Sequence, residues 1–413
     1  MRAALAELGE PNLEYPVLHV GGTNGKGSVA AMAAWVLRAG GRRVGLYTSP
    51  HLCSFDERIL LNGAPVPESR LQQYADELRG PLARNRLTFF EAATLLAFQT
   101  FARERVDVGV FEVGLGGRLD ATNVARPVVT VVTNVARDHT EYLGHTLASI
   151  ASEKAGIAKP GVPLLTAERD ADVTRVMAGV CSERDAPFEV VGADRLTDVR
   201  ITPEGTALVL ATKHWGELSL TTPLVGAHQA TNAALAVAAL EALPSGLRPE
   251  ADALVRGIAG VRWAGRNQVK RGVDGTWLFD VAHNPAGTRS LAAVLDRAAL
   301  PPPFVGLVGI LADKEWIDML VPLCARLDRA LLTVPDSAPA ERRWDPLAAA
   351  AGVRERNEGR CALEAVPDFD LALEAARGAA GGGTVVVTGS VNTVGDAMRR
   401  LHWCPELRNA SNS

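Results

Sequence analysis

Several signals are scarce in this chain of 413 residues, and each scarcity excludes a class of protein. The five cysteines are scattered, without a C-x-x-C pair or a nearby pair of histidines, so the sequence predicts neither a disulfide framework nor a zinc site. No apolar run is long enough to span a membrane, and the N-terminus lacks the pattern of a signal peptide. We therefore expect a cytoplasmic protein with no membrane partner.

Basic residues are not in excess either. The net charge is −4, which argues against a nucleic-acid partner, because such partners are held by a basic surface. The rest of the composition is typical of globular proteins, with 47% apolar and 22% charged residues. This composition and length predict two or three globular domains whose cores need no cross-links.

The apolar runs alternate with helical patterns, which is typical of an α/β fold. Residues 44–48, 106–113 and 128–134 are uniform enough to be strands buried on both faces, as a parallel sheet requires. Residues 186–222 instead contain short strand patterns separated by turn residues. We predict a doubly wound sheet that carries a small antiparallel insertion.

The alternation of strands and helices restarts after a stretch rich in Pro, Gly and Arg at 243–266. We therefore predict two domains. Residues 1–262 would form an N-terminal, P-loop-type ATPase domain, and residues 263–413 a smaller, Rossmann-like α/β domain.

The stretch HVGGTNGKGSVAAM at 19–32 has the layout of a phosphate-binding loop between a strand and a helix. Lys26 would pair with phosphates, and the hydroxyl of Ser28 would lie near Mg²⁺. The usual pattern G-x-x-x-x-G-K-[ST] is not met, because Gly27 stands between these two residues. The alternative interpretation is a glycine-rich turn with an exposed lysine.

Three further residues could act as catalytic groups or metal ligands, and they lie after predicted strands or on the helix that follows. Glu112 ends a buried strand, where open α/β sheets bind ligands, and its carboxylate suits Mg²⁺. His139 follows the next strand, and Lys154 lies on the helix after it. Taken singly, each is more often a solvated or structural residue, so the hypothesis depends on the whole constellation.

An ordered series of motifs resembles folylpolyglutamate synthase and dihydrofolate synthase, which belong to the Mur-ligase superfamily of ATP-dependent amide ligases. The series consists of GTNGKGS (22–28), YTSPHL (47–52), LTFFE (87–91), EVGLGGRLDATN (112–123), DHTEYLG (138–144), EKAGIAKPG (153–161), HQATNA (228–233), GR (265–266) and DVAHNP (280–285). The resemblance runs from about residue 10 to about residue 400.

The resemblance implies a role for each matching residue. The phosphate loop is matched by Asn24, Gly25, Lys26, Gly27 and Ser28. The Mg²⁺ ligands are matched by Ser28, Ser49, Glu112, His139 and Lys154, the last after carbamylation by CO₂. Further ATP contacts are matched by Asn232, Arg266 and Asp280, and His283 would lie at the closing interface. Positions near the pterin are matched by Thr88, Phe89, Phe90, Leu119, Asp120 and Ala121.

The implied reaction adds L-glutamate to a reduced folate or to dihydropteroate through an acyl phosphate. Lys26, Arg266, His139 and Mg²⁺ would neutralise the transferring phosphoryl group, with Lys154, Asp280 and His283 completing the catalytic set. Closure of the second domain would exclude water from the acyl phosphate. The resemblance leaves K⁺ open as a further cation, and we expect a monomer because the second domain already completes the site.

Two departures from the family bear on which reaction dominates. Asn267 replaces a large apolar residue after Arg266, and a segment that helps to hold the pterin ring in the family would lie before residue 1. Val281 in DVAHNP favours the bifunctional enzymes. We expect both activities if that segment is present, and chiefly polyglutamate extension for the chain as given.

GILADK at 309–314 fits the family and predicts that Asp313 and Lys314 contact nucleotide or glutamate.

Two other functions stay open at this point. A Mur-type amino-acid ligase of peptidoglycan synthesis would share the phosphate loop and the carbamylated lysine, although YTSPHL and GGRLDATN disfavour it. A P-loop nucleotide switch without ligase activity would need neither Lys154 nor Arg266.

Overall fold

The fold comprises three β-sheets in a computed structural model that describes residues 1–354, 356 and 361–405. The strands are β1 (Val17–Gly21), β2 (Val44–Tyr47), β3 (Ile59–Leu61), β4 (Ala64–Pro65), β5 (Val108–Glu112), β6 (Pro127–Val132), β7 (Leu164–Thr166), β8 (Phe188–Val190), β9 (Leu196–Thr202), β10 (Gly205–Ala211), β11 (Glu217–Thr222), β12 (Gln268–Gly272), β13 (Gly275–Phe279), β14 (Phe304–Val308), β15 (Arg329–Leu332), β16 (Ala362–Ala365) and β17 (Thr384–Thr388).

Helices cover these sheets. They are α1 (Arg2–Glu7), α2 (Lys26–Ala39), α3 (Glu68–Asn85), α4 (Phe89–Arg103), α5 (Thr140–Leu143), α6 (Leu147–Ala155), α7 (Ala171–Glu183), α8 (Ala227–Glu241), α9 (Ala251–Gly260), α10 (Pro285–Arg297), α11 (Trp316–Cys324), α12 (Pro346–Arg354), α13 (Phe369–Ala380) and α14 (Val391–Arg400).

The first sheet has eight strands in the order β4-β3-β2-β5-β1-β6-β7-β8. The six strands from β2 to β8 in this order are parallel, whereas β3 and β4 form an antiparallel edge. The three buried strands predicted from apolar runs are confirmed as β2, β5 and β6. They are mostly apolar because α2 and α8 cover one face of the sheet, while α4 covers the other face at β2 and β5 and α6 covers it at β6.

The antiparallel insertion is confirmed, but its predicted start at residue 186 is wrong. Strand β8 pairs in parallel with β7 and belongs to the first sheet. The insertion is the three-stranded sheet β11-β10-β9, which begins at Leu196 and packs through alternate residues against α8 and α9. The short β8 resembles the insertion strands in sequence, so its pattern could not reveal which sheet it joins.

The third sheet has the order β12-β13-β17-β14-β15-β16, with β12 as an antiparallel edge strand. The predicted restart of the strand and helix alternation after residues 243–266 is confirmed, and it supplies β13, β14, β15 and β17 of this sheet. Residues 261–267 connect α9 to β12, and a domain boundary near residue 262 stays our prediction. None of the helices within the described ranges is both long and apolar enough to cross a membrane.

A disulfide links Cys53, in the loop after β2, to Cys404, after α14. The scattered cysteines did not predict this pairing, because 351 residues separate the two. Trp403 packs against Trp277 and Phe279 of β13, with ring centroids 5.8 and 5.9 Å apart, so the segment after α14 is anchored in the third sheet's core. The bridge therefore ties the first sheet's loop to the third sheet's domain.

Candidate active site

A cavity of about 380 Å³ lies where the carboxyl ends of β1, β2, β5 and β6 meet the third sheet's domain. Strand β1 lies between β5 and β6, so the loops after these strands converge at one edge of the sheet. Arg266, Asp280 and His283 line the cavity from the opposite side. Both domains therefore contribute to one site.

The loop between β1 and α2 approaches its neighbours so closely that side chains would not fit. Gly25 has φ +83°, and a Cβ there would lie 2.6 Å from Asn232 Oδ1. A Cβ on Gly27 would lie 2.8 Å from the indole of Trp263. This contact explains why a glycine stands between Lys26 and Ser28 in this chain.

The start of α2 is free to bind an anion. Its N-cap is Gly25, and no side chain caps the first turn, so the N–H groups there have no side-chain acceptor. The Lys26 Nζ atom donates to Thr23 O at 3.1 Å within the same loop. Ser28 Oγ is buried and has no hydrogen-bond partner among the described residues, which fits a hydroxyl reserved for a ligand or a metal ion.

Glu112 lies at the end of β5 beside Ser49, whose backbone N–H donates to Glu112 Oε2 at 3.2 Å. Burial raises the pKa of the Glu112 carboxyl, and the charges of Lys26 and Arg266 oppose that rise. A buried carboxylate facing two cations is a hard oxygen ligand of the type that Mg²⁺ prefers. Within the described part of the chain, no three His, Cys, Asp or Glu side chains form a metal cluster by themselves.

Lys154 is buried on α6 and donates from Nζ to Gly22 O at 2.8 Å, so its amine reaches the phosphate loop. Burial, together with the charge of Lys26, lowers its pKa to about 7. A substantial fraction of the amine is then uncharged at neutral pH. An uncharged amine is the form that reacts with CO₂, so the structure supports the expected carbamate.

His139 precedes α5 with a left-handed backbone at φ 50°. Partial burial and the charges of Lys314, His283 and Lys26 lower its pKa to about 4, although Asp138 opposes the shift. The ring is therefore neutral near pH 7, which is the form that binds metals. Ser28, Ser49, Glu112, His139 and Lys154 all line the cavity, as the sequence predicts, and their roles as metal ligands stay a prediction.

The connecting segment brings Arg266 into the cavity, and the loop after β13 brings Asp280 there. Loss of hydration lowers the pKa of Arg266 and raises that of Asp280, while their opposite charges counteract both shifts. Asp280 accepts hydrogen bonds from the backbone of Asn267 at 2.8 Å and of Ala282 at 2.9 Å.

Asn267 suits its position although the family has an apolar residue there. Its φ of 47° lies in the left-handed region, which asparagine tolerates better than branched residues do. Its Nδ2 donates to Val225 O at 3.1 Å, so it fastens the connecting segment to the start of α8.

Three polar side chains at the domain interface complete the arrangement. Asn284 exchanges amide hydrogen bonds with Asn24 of the phosphate loop, at 3.0 and 3.2 Å. Asp138 accepts hydrogen bonds from Asn284 and Lys314. The sequence offered Asn284 and Asp138 only as neighbours of His283 and His139 in their motifs, and nothing in it indicated that they meet.

The six residues predicted near the pterin lie outside the lining of this cavity. Thr88 caps α4, and Asp120 caps the short 3₁₀ helix Ala121–Val124. Phe90 packs against Tyr47, with ring centroids 6.4 Å apart. Thr88 is exposed, and Phe89 and Leu119 are exposed hydrophobic residues, at 67% and 79% of their full areas.

Phe89 belongs to an aromatic and basic group that sequence reasoning missed. The guanidinium of Arg58 lies 5.6 Å from the Phe89 ring and 5.8 Å from the Phe55 ring. Arg58 Nε also donates to His51 Nδ1 at 2.8 Å. An arginine beside two aromatic faces could contact a flat, anionic substrate, and only the LTFFE motif pointed to this surface.

Family models match most of the chain. Residues 20–240 match the Mur ligase middle domain, and residues 265–391 match the glutamate ligase domain of Mur ligases.

Individual relatives agree with these matches. A dihydrofolate synthase/folylpolyglutamate synthase of Mycobacterium tuberculosis is 35% identical over 94% of this chain and 87% of its own length. A probable bifunctional folylpolyglutamate synthase/dihydropteroate synthase of Haloferax volcanii is 36% identical over 98% of this chain, which spans only 48% of that longer protein. The solved structure of Mycobacterium tuberculosis folylpolyglutamate synthase complexed with ADP has a TM-score of 0.89 at 34% identity, covering 97% of this chain and 93% of the other.

Proposed function

The chain belongs to the folylpolyglutamate synthase and dihydrofolate synthase family of Mur ligases, and we propose that it joins L-glutamate to a carboxylate of a folate-type substrate. One observation carries the proposal. The interdomain cavity brings the phosphate loop, Glu112, Lys154 and Arg266 to one place. Such a constellation serves phosphoryl transfer to a carboxylate, and a nucleotide switch has no use for it.

The reaction has two steps. The substrate carboxylate attacks the γ-phosphorus of ATP, which forms an acyl phosphate and releases ADP. The α-amino group of glutamate then attacks the acyl carbon, phosphate leaves, and the amine loses a proton as the amide forms. Lys26 and Arg266 stabilise the negative charge on the transferring phosphoryl group, and closure of the domains excludes water.

Ser28, Ser49, Glu112 and His139 are the residues that would hold Mg²⁺, with Lys154 contributing oxygen after carbamylation. The unpartnered hydroxyl of Ser28 and the neutral ring of His139 fit such a site. When bound, Mg²⁺ would neutralise charge on the β- and γ-phosphates. Carbamylation turns an ammonium that would repel the metal ion into an anionic ligand.

The pteroyl part of the substrate would contact the surface formed by Phe55, Arg58 and Phe89. Its terminal carboxylate would point into the cavity, toward Lys26. We also propose that the chain acts as a monomer, because its own second domain supplies Arg266, and that it works in the cytoplasm.

The deciding assay offers dihydropteroate and a reduced monoglutamyl folate in parallel, each with ATP, Mg²⁺ and labelled glutamate. We expect incorporation of label with the monoglutamate, and ADP release that requires both the folate and glutamate. Efficient use of dihydropteroate would show that this chain also carries out the first addition. Hydrolysis of ATP without either substrate, or use of neither substrate, would overturn the folate assignment.

A further inference from the structure

Three donors from the third sheet's domain converge on one carboxylate of the first sheet's domain. Asp138 Oδ1 accepts a hydrogen bond from Lys314 Nζ at 2.7 Å. Its Oδ2 accepts one from Asn284 Nδ2 at 3.1 Å and lies 3.2 Å from His283 Nε2. The side chains of Asp138 and Lys314 are only 7% and 8% exposed, so water screens these contacts weakly.

His283 also belongs to this group of contacts. Its Nδ1 lies 2.9 Å from the carbonyl oxygen of Val281, while its Nε2 faces Asp138. Asp138 therefore lies against His283, Asn284 and Lys314.

The same contacts connect the two halves of the site. Asn284 Oδ1 caps α10 by accepting from Gly287 N at 2.8 Å, and its amide pairs with Asn24 in the phosphate loop. The loop that carries Asn284 also carries Asp280. The position of this loop relative to the phosphate loop thus depends on Asn24 and Asp138.

We propose that Asp138 is a positioning residue, which holds the second domain in the closed arrangement that the reaction needs. Both of its carboxylate oxygens already contact side chains of the second domain. Its role is therefore to hold the interface between the domains. It lies at the interface, in neither hydrophobic core, so its loss should open the interface before it unfolds either domain. The expected effect on turnover rests on the proposed ligase activity. The expected effect on the contact between the domains does not.

The test compares Asp138→Asn with Glu204→Gln. Glu204 pairs with Arg271 across the same two domains at 2.7 Å, but both partners are more than half exposed, so this pair should contribute little. We expect Asp138→Asn to lower kcat about 100-fold, because a small displacement of a reacting group slows the reaction strongly. The Kd for ADP should change less than about threefold. Glu204→Gln should stay within about twofold of the wild type in both.

Hydrogen–deuterium exchange without folate measures closure directly. In Asp138→Asn, amides of residues 281–288 should exchange at least about tenfold faster, while strand β13 keeps its protection. Lys314→Met should change both quantities in the same direction but by less, because it removes one of the three contacts of Asp138. The double variant should be no worse than Asp138→Asn alone, because that variant already lacks the contact with Lys314.

Unchanged kcat and unchanged exchange in Asp138→Asn would overturn the proposal. Equal loss of protection in β13 would also overturn it, because that result assigns Asp138 to global stability. If the wild type uses no folate substrate, the exchange experiment still decides the role of Asp138, so the two failures are distinguishable.

Discussion

Lys154 has chemistry unlike that of an exposed lysine. Its pKa of about 7 follows from burial and from the charge of Lys26. We expect Lys154→Ala to lower turnover at least about 100-fold, and short carboxylates such as acetate to restore part of it by replacing the carbamate oxygens. The assay is ADP release with folate substrate and glutamate.

Lys159 provides the matched control for this experiment. It follows the same helix, and its Nζ donates to Asn123 O at 2.9 Å, away from the cavity. Lys159→Met should keep turnover within a few fold. Full activity in Lys154→Ala would remove the carbamate from the mechanism.

His19 makes stability depend on pH. Burial in β1 lowers its pKa to about 3. Its Nε2 lies 2.8 Å from Thr122 Oγ1, which itself donates to Asp120, so Nε2 is the protonated nitrogen. Nδ1 has no partner in the described part of the chain, and a proton added there would be buried without an acceptor.

The sign of the pH effect follows from that depressed pKa. Below the unfolded-state value of about 6.5 the unfolded chain binds a proton that the folded chain excludes, so stability falls with falling pH down to the folded value. Between pH 7.5 and 5.5 this residue should cost about 1.4 kcal/mol, measured by chemical unfolding. In His19→Gln the decrease between these pH values should shrink by that amount, and an unchanged decrease would contradict the assignment.

Residue types at the ends of predicted strands pointed to Lys26 and Glu112, because strand ends in a parallel sheet converge whatever the rest of the fold does. His139, Lys154 and Arg266 were assigned through the family resemblance, and all five residues line the cavity. Asp138 and Asn284 could not be assigned in this way, because their partners lie in another domain and no local pattern encodes how two domains meet.

At the scale of elements, strands with continuous apolar runs were predictable and amphipathic or short ones were not. Helix α3 buries only Tyr74, Leu78 and Pro81 of its eighteen residues, so its sequence resembles a polar connection. Strand β8 has three residues, too few for its pattern to show which sheet it joins. Both elements lie at the periphery of the fold, where few residues are buried and the sequence therefore needs no regular apolar pattern.

The Cys53–Cys404 bridge connects the loop after β2 to the segment after α14. A cross-link restricts the unfolded chain most when it closes a long loop, and this one joins residues 351 positions apart. We expect reduction to lower the free energy of unfolding by about 2–5 kcal/mol, measured by chemical unfolding with and without reductant.

The variant Cys404→Ser is the control for this measurement. It should show the lower stability without reductant and no further response to reductant. A response in Cys404→Ser equal to that of the wild type would show that the reductant does not act through this bridge.

At the scale of the whole molecule, the reaction depends on how two domains share one nucleotide. Arg266 reaches the cavity from the connecting segment and faces Asp280 and Glu112. Its charge is needed most when the phosphoryl group transfers, so Arg266→Ala should lower kcat at least about 100-fold and weaken ADP binding less than about tenfold.

Arg262 is the matched control for Arg266 in the same segment. It is exposed and donates only to the backbone oxygens of Gly260 and Val261, at 3.1 and 3.2 Å. Arg262→Ala should change neither kcat nor ADP affinity by more than about twofold. Equal losses of rate and affinity in Arg266→Ala would make that arginine a ground-state binder of nucleotide.

The bridge between Cys53 and Cys404 also decides how the molecule responds to mechanical force. Tension applied at residues 1 and 405 would pass through the sulfur atoms and bypass the chain between them, a path of 351 residues. Under load the bridged molecule should extend only through its first 52 residues and the short segment after Cys404. Reduction under the same load should release roughly 1,200 Å of further length, at about 3.5 Å for each of the 351 residues. One covalent bond thus shields the whole third sheet from a pull on the ends, whereas β1, the phosphate loop and α2 lie outside the bridge and bear the load.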